Sequence, residues 1–99
     1  MEENKINYKE LLENETDKLL VKFSTKWCGP CKTYTPIFEQ FITENPSVKC
    51  LAIDCNEEPD IAHKFNVMSI PTTMVIKNNK ELCRKTGILN SEDLLKLLE

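Results

Sequence analysis

The chain lacks the features that would direct it to a membrane or a nucleic acid. No apolar run approaches the roughly 18 residues of a membrane span. Basic residues are not in excess: 13 Lys and Arg stand against 16 Asp and Glu, for a formal net charge of −3. That balance argues against nucleic acid or an anionic membrane as partner. Met1 to Asn14 is polar and acidic. It has neither the basic start and apolar centre of a secretory signal nor the Arg-rich amphipathic pattern of a transit peptide, so a cytoplasmic, reducing location is expected. With only two glycines, the chain has no Gly-rich dinucleotide fingerprint, and no bound NAD or FAD is expected. Internal repeats, low-complexity segments and linkers are also missing. The 99 residues are therefore read as one domain, 1–99, long enough to bury a core without structural staples.

The cysteines, by contrast, are informative. There are five, an odd number that suits free thiols plus one redox pair better than a disulfide framework. Cys28 and Cys31 lie three positions apart in Trp27-Cys28-Gly29-Pro30-Cys31-Lys32. An apolar, strand-like run (Leu19, Leu20, Val21, Phe23) precedes them, and a helical pattern follows. Two thiols at the mouth of a strand-to-helix turn can close and reopen one small disulfide loop, which moves two electrons. The competing reading is half of a zinc site. Cys50, Cys55 and Cys83 form no second such pair and His63 is the sole histidine, so no metal is expected.

Periodicity places the other elements. Tyr8 to Asn14 reads as a short helix and Lys18 to Ser24 as a strand. Tyr34, Ile37, Phe38, Phe41 and Ile42 recur at helical spacing, predicting an amphipathic helix from about Gly29 to Glu44 with a kink at Pro36. Val48 to Asp54 is a second strand. Pro59 to Phe65 is a short helix with Pro59 in its first turn. Thr72 to Lys77 and Glu81 to Thr86 flank Asn78-Asn79, a hairpin turn that tolerates positive φ. Ser91 to Leu98 is a last helix, with Asn90 or Ser91 as N-cap. The first strands, joined through helices, are expected to pair in parallel, with the hairpin adding an antiparallel edge. The predicted fold class is α/β, a mixed sheet of four, possibly five, strands between about four helices.

With these elements in place, the chain resembles the thioredoxin family from about Leu19 to Leu98. Trp27 to Lys32 matches the active-site signature. Pro36 matches the helix-kinking proline, Ile70-Pro71-Thr72 the cis-proline loop, and Gly87 the glycine beside the substrate groove. The resemblance implies a three-layer α/β/α sandwich and a protein-disulfide reductase. Cys28 would be the nucleophile and Cys31 the resolving thiol, with the Cys28–Cys31 disulfide as the only redox group. Gly29 and Pro30 would allow the tight turn. Trp27, Ile70, Pro71 and Gly87 would bind substrate, with Met68 and Ile88 completing an apolar rim. Implied partners are disulfide-containing proteins and a separate NADPH-dependent thioredoxin reductase, and the protein is expected to be a monomer. Two alternatives use the same fold: a non-catalytic docking subunit, and a disulfide oxidase or isomerase. Pro30, where oxidising relatives often carry His, speaks against the latter.

The departures from the family pattern concern the positions beneath the site. Lys22 stands where the family usually has a buried acid, and Cys50 where its lysine partner falls. Asn79 replaces the hairpin glycine, and only Lys5 to Asn7 is available for the N-terminal strand of longer members. Alternation puts Lys22 on the face opposite Val21 and Phe23, buried if the strand is central. A buried lysine resists charge, so Lys22 is expected either to tune Cys31 or to reach solvent along its stem. Cys50 and Cys55, on one extended strand, would be about 16 Å apart, too far for a disulfide. They and Cys83 are read as small apolar residues, with Cys55 the most exposed of the three.

Overall fold

The computed structural model describes residues 6–99. In chain order the elements are α1 (Tyr8–Asn14), β1 (Leu19–Ser24), α2 (Gly29–Glu44), β2 (Lys49–Asp54), α3 (Pro59–Lys64), β3 (Thr72–Lys77), β4 (Lys80–Thr86) and α4 (Ser91–Leu97). Four strands form one sheet in the order β2-β1-β3-β4. β1 pairs with β2 in parallel, and β1–β3 and β3–β4 are antiparallel. The segment proposed for a fifth strand begins at Lys5, outside the described residues, and its Ile6 and Asn7 are not in a strand.

The apolar pattern sorts the chain into three layers. Leu19, Val21 and Phe23 of β1 and Met74 and Ile76 of β3 face α1 and α3, where they pack with Leu12, Ile61 and Phe65. Leu20 and Val75 point the other way, onto Tyr34, Phe38 and Phe41 of α2 and Leu94 of α4. β1 and β3 are central and covered on both faces, so nearly every residue in them is buried, whereas the edge strands β2 and β4 are largely half-buried or exposed.

Capping and turn residues mark the ends of the elements. Asn7 caps α1 by accepting from Glu10 N–H at 3.0 Å. Asn90 and Asp93 form a reciprocal capping box on α4. Asn78 and Asn79 turn the hairpin with φ of 52° and 64°, a conformation asparagine tolerates better than most residues. Pro36 lies inside α2, which continues through it from Gly29 to Glu44.

One expectation needs correcting. Parallel pairing holds only for β1 and β2; β3 follows a helix yet runs antiparallel to β1. The connection from Asp54 to Thr72, which holds the short α3 and the loop after it, leaves the chain at the end of the sheet where β1 and β2 finish, with Thr72 opposite Phe23. This places the loop before β3 beside the loop that follows β1.

Candidate active site

The site sits at that end of the sheet. β1 runs out at Ser24, whose carbonyl accepts from Cys55 N–H at 2.9 Å, pinning the end of β1 to the end of β2. After three residues the chain reaches Cys28, the N-cap of α2. Cys28 and Cys31 form a disulfide with Cα atoms 5.1 Å apart. Cys28 is half-buried, and Cys31 is only 2% exposed.

The helix start favours negative charge on Cys28. Its Sγ accepts the Cys31 backbone N–H at 3.1 Å, taking the place of a capping oxygen. The first turn of α2 carries no acidic side chain, so no carboxylate competes for the positive end of the helix dipole. Pro30 has no N–H to offer. Gly29, read as allowing the turn, is exposed, and an added Cβ would meet nothing within 4 Å. The backbone there makes no demand for glycine.

The loop before β3 forms the second wall. The Ile70–Pro71 peptide is cis, and the Ile70 carbonyl oxygen lies 3.8 Å from Cys28 Sγ. The buried Pro71 accepts Gly87 N–H on its carbonyl at 2.8 Å. Gly87 has φ of 98°, where a side chain would be strained. Among the described residues, the half-buried Ile70 makes no hydrogen bond through its own N–H. Trp27 is 82% exposed and Met68 83%, and Ile88 is exposed as well. They precede Cys28, precede the cis-proline loop and follow Gly87, respectively. The geometry thus brings Cys28, Cys31, Ile70, Pro71 and Gly87 together. Pro36 is exposed on α2, five positions beyond Cys31.

Lys22 does not reach solvent along its stem. It is 4% exposed, lying on the α2 side of β1 with Nζ 5.4 Å from the Phe38 ring centroid. Nζ donates to Thr35 Oγ1 at 2.9 Å, and that hydroxyl donates to the Cys31 carbonyl at 2.9 Å. Burial pushes the Lys22 pKa down, while the charge of Glu39 acts the other way. Opposite Lys22 on β3, Thr73 shares a buried 2.7 Å hydrogen bond with Tyr34, whose phenol burial holds neutral, its pKa raised to about 12. Thr35 and Thr73 were not foreseen as site neighbours. For Thr35 the signal was present: a threonine four residues after Cys31 in a helix can bond back to its carbonyl.

The other thiols stand apart from the site and from one another. Cys50 packs with the α2/α4 cluster and Cys55 with the α1/α3 cluster, and burial pushes both thiols up, Asp54 adding to the effect at Cys55. Raised thiols are mostly protonated and weakly reactive at neutral pH. Cys83 donates to the Leu97 carbonyl at 3.3 Å. All three are half-buried, and Cys55 lies one residue beyond the end of β2. His63 is on the surface. Among the described residues, no group of three or more His, Cys, Asp or Glu is placed to hold a metal ion.

The Thioredoxin family model matches residues 1–99. The thioredoxin of Chlamydia trachomatis serovar D is 39% identical over 80 residues, covering 81% of this chain and 78% of that protein. Thioredoxin C-3 of Corynebacterium nephridii is 33% identical over 99 residues, covering all of this chain and 68% of that protein. Among solved structures, Fasciola hepatica thioredoxin matches with a TM-score of 0.78 at 32% identity, over 92% of this chain and 86% of that one.

Proposed function

Because the chain belongs to the thioredoxin family and is a thiol-disulfide oxidoreductase, we propose that it reduces protein disulfides with Cys28 as nucleophile and Cys31 as resolving thiol. The observation that carries this assignment is the asymmetry of the pair. Cys28 is half-buried and its sulfur accepts an N–H at the positive end of α2, while Cys31 is covered. The thiolate of Cys28 attacks a substrate disulfide, forming a mixed disulfide and releasing one substrate sulfur as thiolate. The Cys31 thiol then loses its proton and attacks Cys28 Sγ. The mixed disulfide breaks, the second substrate sulfur leaves as thiolate, and Cys28–Cys31 is oxidised.

The free N–H of Ile70, beside the exposed side chains of Trp27, Met68 and Ile88, suits an extended substrate segment laid along the cis-proline loop. Main-chain hydrogen bonds would give affinity there, as in strand addition. Gly87 leaves room beside that segment. A separate NADPH-dependent thioredoxin reductase returns the electrons. Three thiols without a disulfide partner among the described residues suit a reducing cytoplasm, where the protein works as a monomer.

Trapping tests the roles. Cys31→Ser should accumulate a mixed disulfide through Cys28, identified by mass spectrometry. Cys28→Ser should form none and lose reductase activity. If Cys28→Ser keeps its turnover, the assignment is wrong. If a Cys28→Ser, Cys31→Ser protein keeps full biological activity, the docking-subunit reading takes its place. The reduction potential separates the remaining rival: about −270 mV is typical of reductases of this kind, and about −180 mV or above belongs to an oxidase or isomerase.

A further inference from the structure

Lys22 is a buried amine in the centre of the sheet, and the exchange steps above do not use it. Its surroundings are specific. Thr35 has one hydroxyl proton, directed to the Cys31 carbonyl, so its oxygen is free to accept from Nζ. That arrangement serves an amine and an ammonium equally, and the bridge survives a change of protonation. Cys31 touches both ends of the network: its N–H donates to Cys28 Sγ, and its carbonyl accepts from the hydroxyl that Lys22 holds.

No other group supplies a close counter-charge. Among the described residues, Lys22 forms no ion pair with a carboxylate. From α2, Glu39 acts on it only through its field, from an exposed position, and Tyr34 stays neutral. β3 presents Thr73 and β2 presents Ala52 in register with it. On the same face of β2, the Cys50 thiol is held protonated by burial, and the Asp54 carboxylate accepts from the N–H groups of Asn56 and Glu57. The Phe38 ring face offers a weak site for a cation. The one nearby group whose charge changes during turnover is the dithiol.

We propose that Lys22 is the charge partner of the reduced site: Nζ takes up a proton when the Cys28–Cys31 disulfide is reduced and releases it when the disulfide re-forms. This rests on the reductase reading. The step balances. Two electrons arrive from an external dithiol, which becomes a disulfide and gives up two protons. The Cys28–Cys31 bond breaks, Cys28 becomes a thiolate, Cys31 takes one proton as a thiol, and Lys22 takes the other. Thiolate and ammonium then offset each other in a partly dry site, where the attraction is stronger than in water. Burial lowers the proton affinity of Lys22 while the disulfide is neutral, which lets the proton leave.

The test is a titration of Lys22 in the native protein, by NMR of its Cε and Nζ shifts, in the oxidised and dithiothreitol-reduced states. The midpoint should lie at higher pH in the reduced state. A second measurement is the pH dependence of the redox equilibrium against glutathione. Above the Cys28 titration and between the two Lys22 midpoints, the native protein should take up two protons per two electrons, as many as glutathione gives up, so its equilibrium constant against glutathione stays flat with pH. Lys22→Met, which keeps an apolar stem over Phe38, should take up one, so its constant rises about tenfold per pH unit, a difference of about 30 mV per pH unit. Thr35→Ser, which retains the bridging hydroxyl, should behave as native. A reversible couple with the same Lys22 midpoint in both states overturns the proposal and leaves the reductase reading standing. The absence of any reversible couple overturns both.

Discussion

The two faces of the sheet are built from the same strands and do different work. The face toward α1 and α3 is apolar except for the buried Thr72, whose hydroxyl donates to the Ser69 carbonyl; Leu19, Val21, Phe23, Met74 and Ile76 pack on Leu12, Ile61 and Phe65. The face toward α2 and α4 has an equally buried apolar cluster around Phe38 and Phe41. Toward the site end it changes to a polar layer, in which Lys22, Thr73 and Tyr34 are buried and Thr35 is half-buried. Both faces are closed to solvent, so burial alone does not distinguish them. They differ in whether the buried groups can change charge. One face stabilises the fold; the other connects the fold to the dithiol.

The largest effect should come from breaking the apolar face. Phe23→Ala removes a fully buried ring that packs on Phe65 at a centroid distance of 6.3 Å. It should cost about 3–5 kcal/mol in denaturant unfolding and leave the reduction potential of the surviving folded protein unchanged. A shifted potential would show that the two faces are not separable.

The next effect concerns the backbone at the site, where the two glycines should part company. Gly87→Ala places a side chain at φ of 98° and should cost about 1–3 kcal/mol. Gly29→Ala adds a methyl group in open space at a helix start and should change stability by less than about 0.5 kcal/mol. Equal costs would contradict the geometry of the Pro71–Gly87 bridge.

The smallest effect makes the polar face resemble the apolar one. In the oxidised protein Lys22 has a folded-state pKa below its unfolded value. Between those two values the unfolded chain holds more protons, so native stability rises with pH. Lys22→Met removes that dependence. It should raise stability by about 1 kcal/mol at neutral pH, and the gain should shrink as pH climbs toward the ordinary lysine range. A gain that is the same at every pH would mean that the lysine does not titrate in that window.

Most of the fold was legible because local and tertiary signals agree. The helix over Gly29–Glu44 and the strand over Thr72–Lys77 fall where periodicity put them. Alternation along β1 also placed Lys22 on the correct face and inside the molecule. The direction of β3 was not legible from the alternation of helix and strand, because the apolar pattern of a strand reads the same whichever way the strand runs in the sheet. The surroundings of Lys22 were out of view as well. Thr35 is 13 positions away, and only the packing of α2 on β1 brings its hydroxyl to Nζ.

The hairpin carries one further consequence. The β3–β4 ladder shifts register between Val75 and Ile76, and β4 is an edge strand bearing exposed Lys80, Glu81, Arg84 and Lys85. A bulge strengthens the local twist, and charges along an edge repel a neighbouring chain. On that side of the sheet, the irregular, charged hairpin opposes the stacking of another extended chain, a copy of this one included, onto β4.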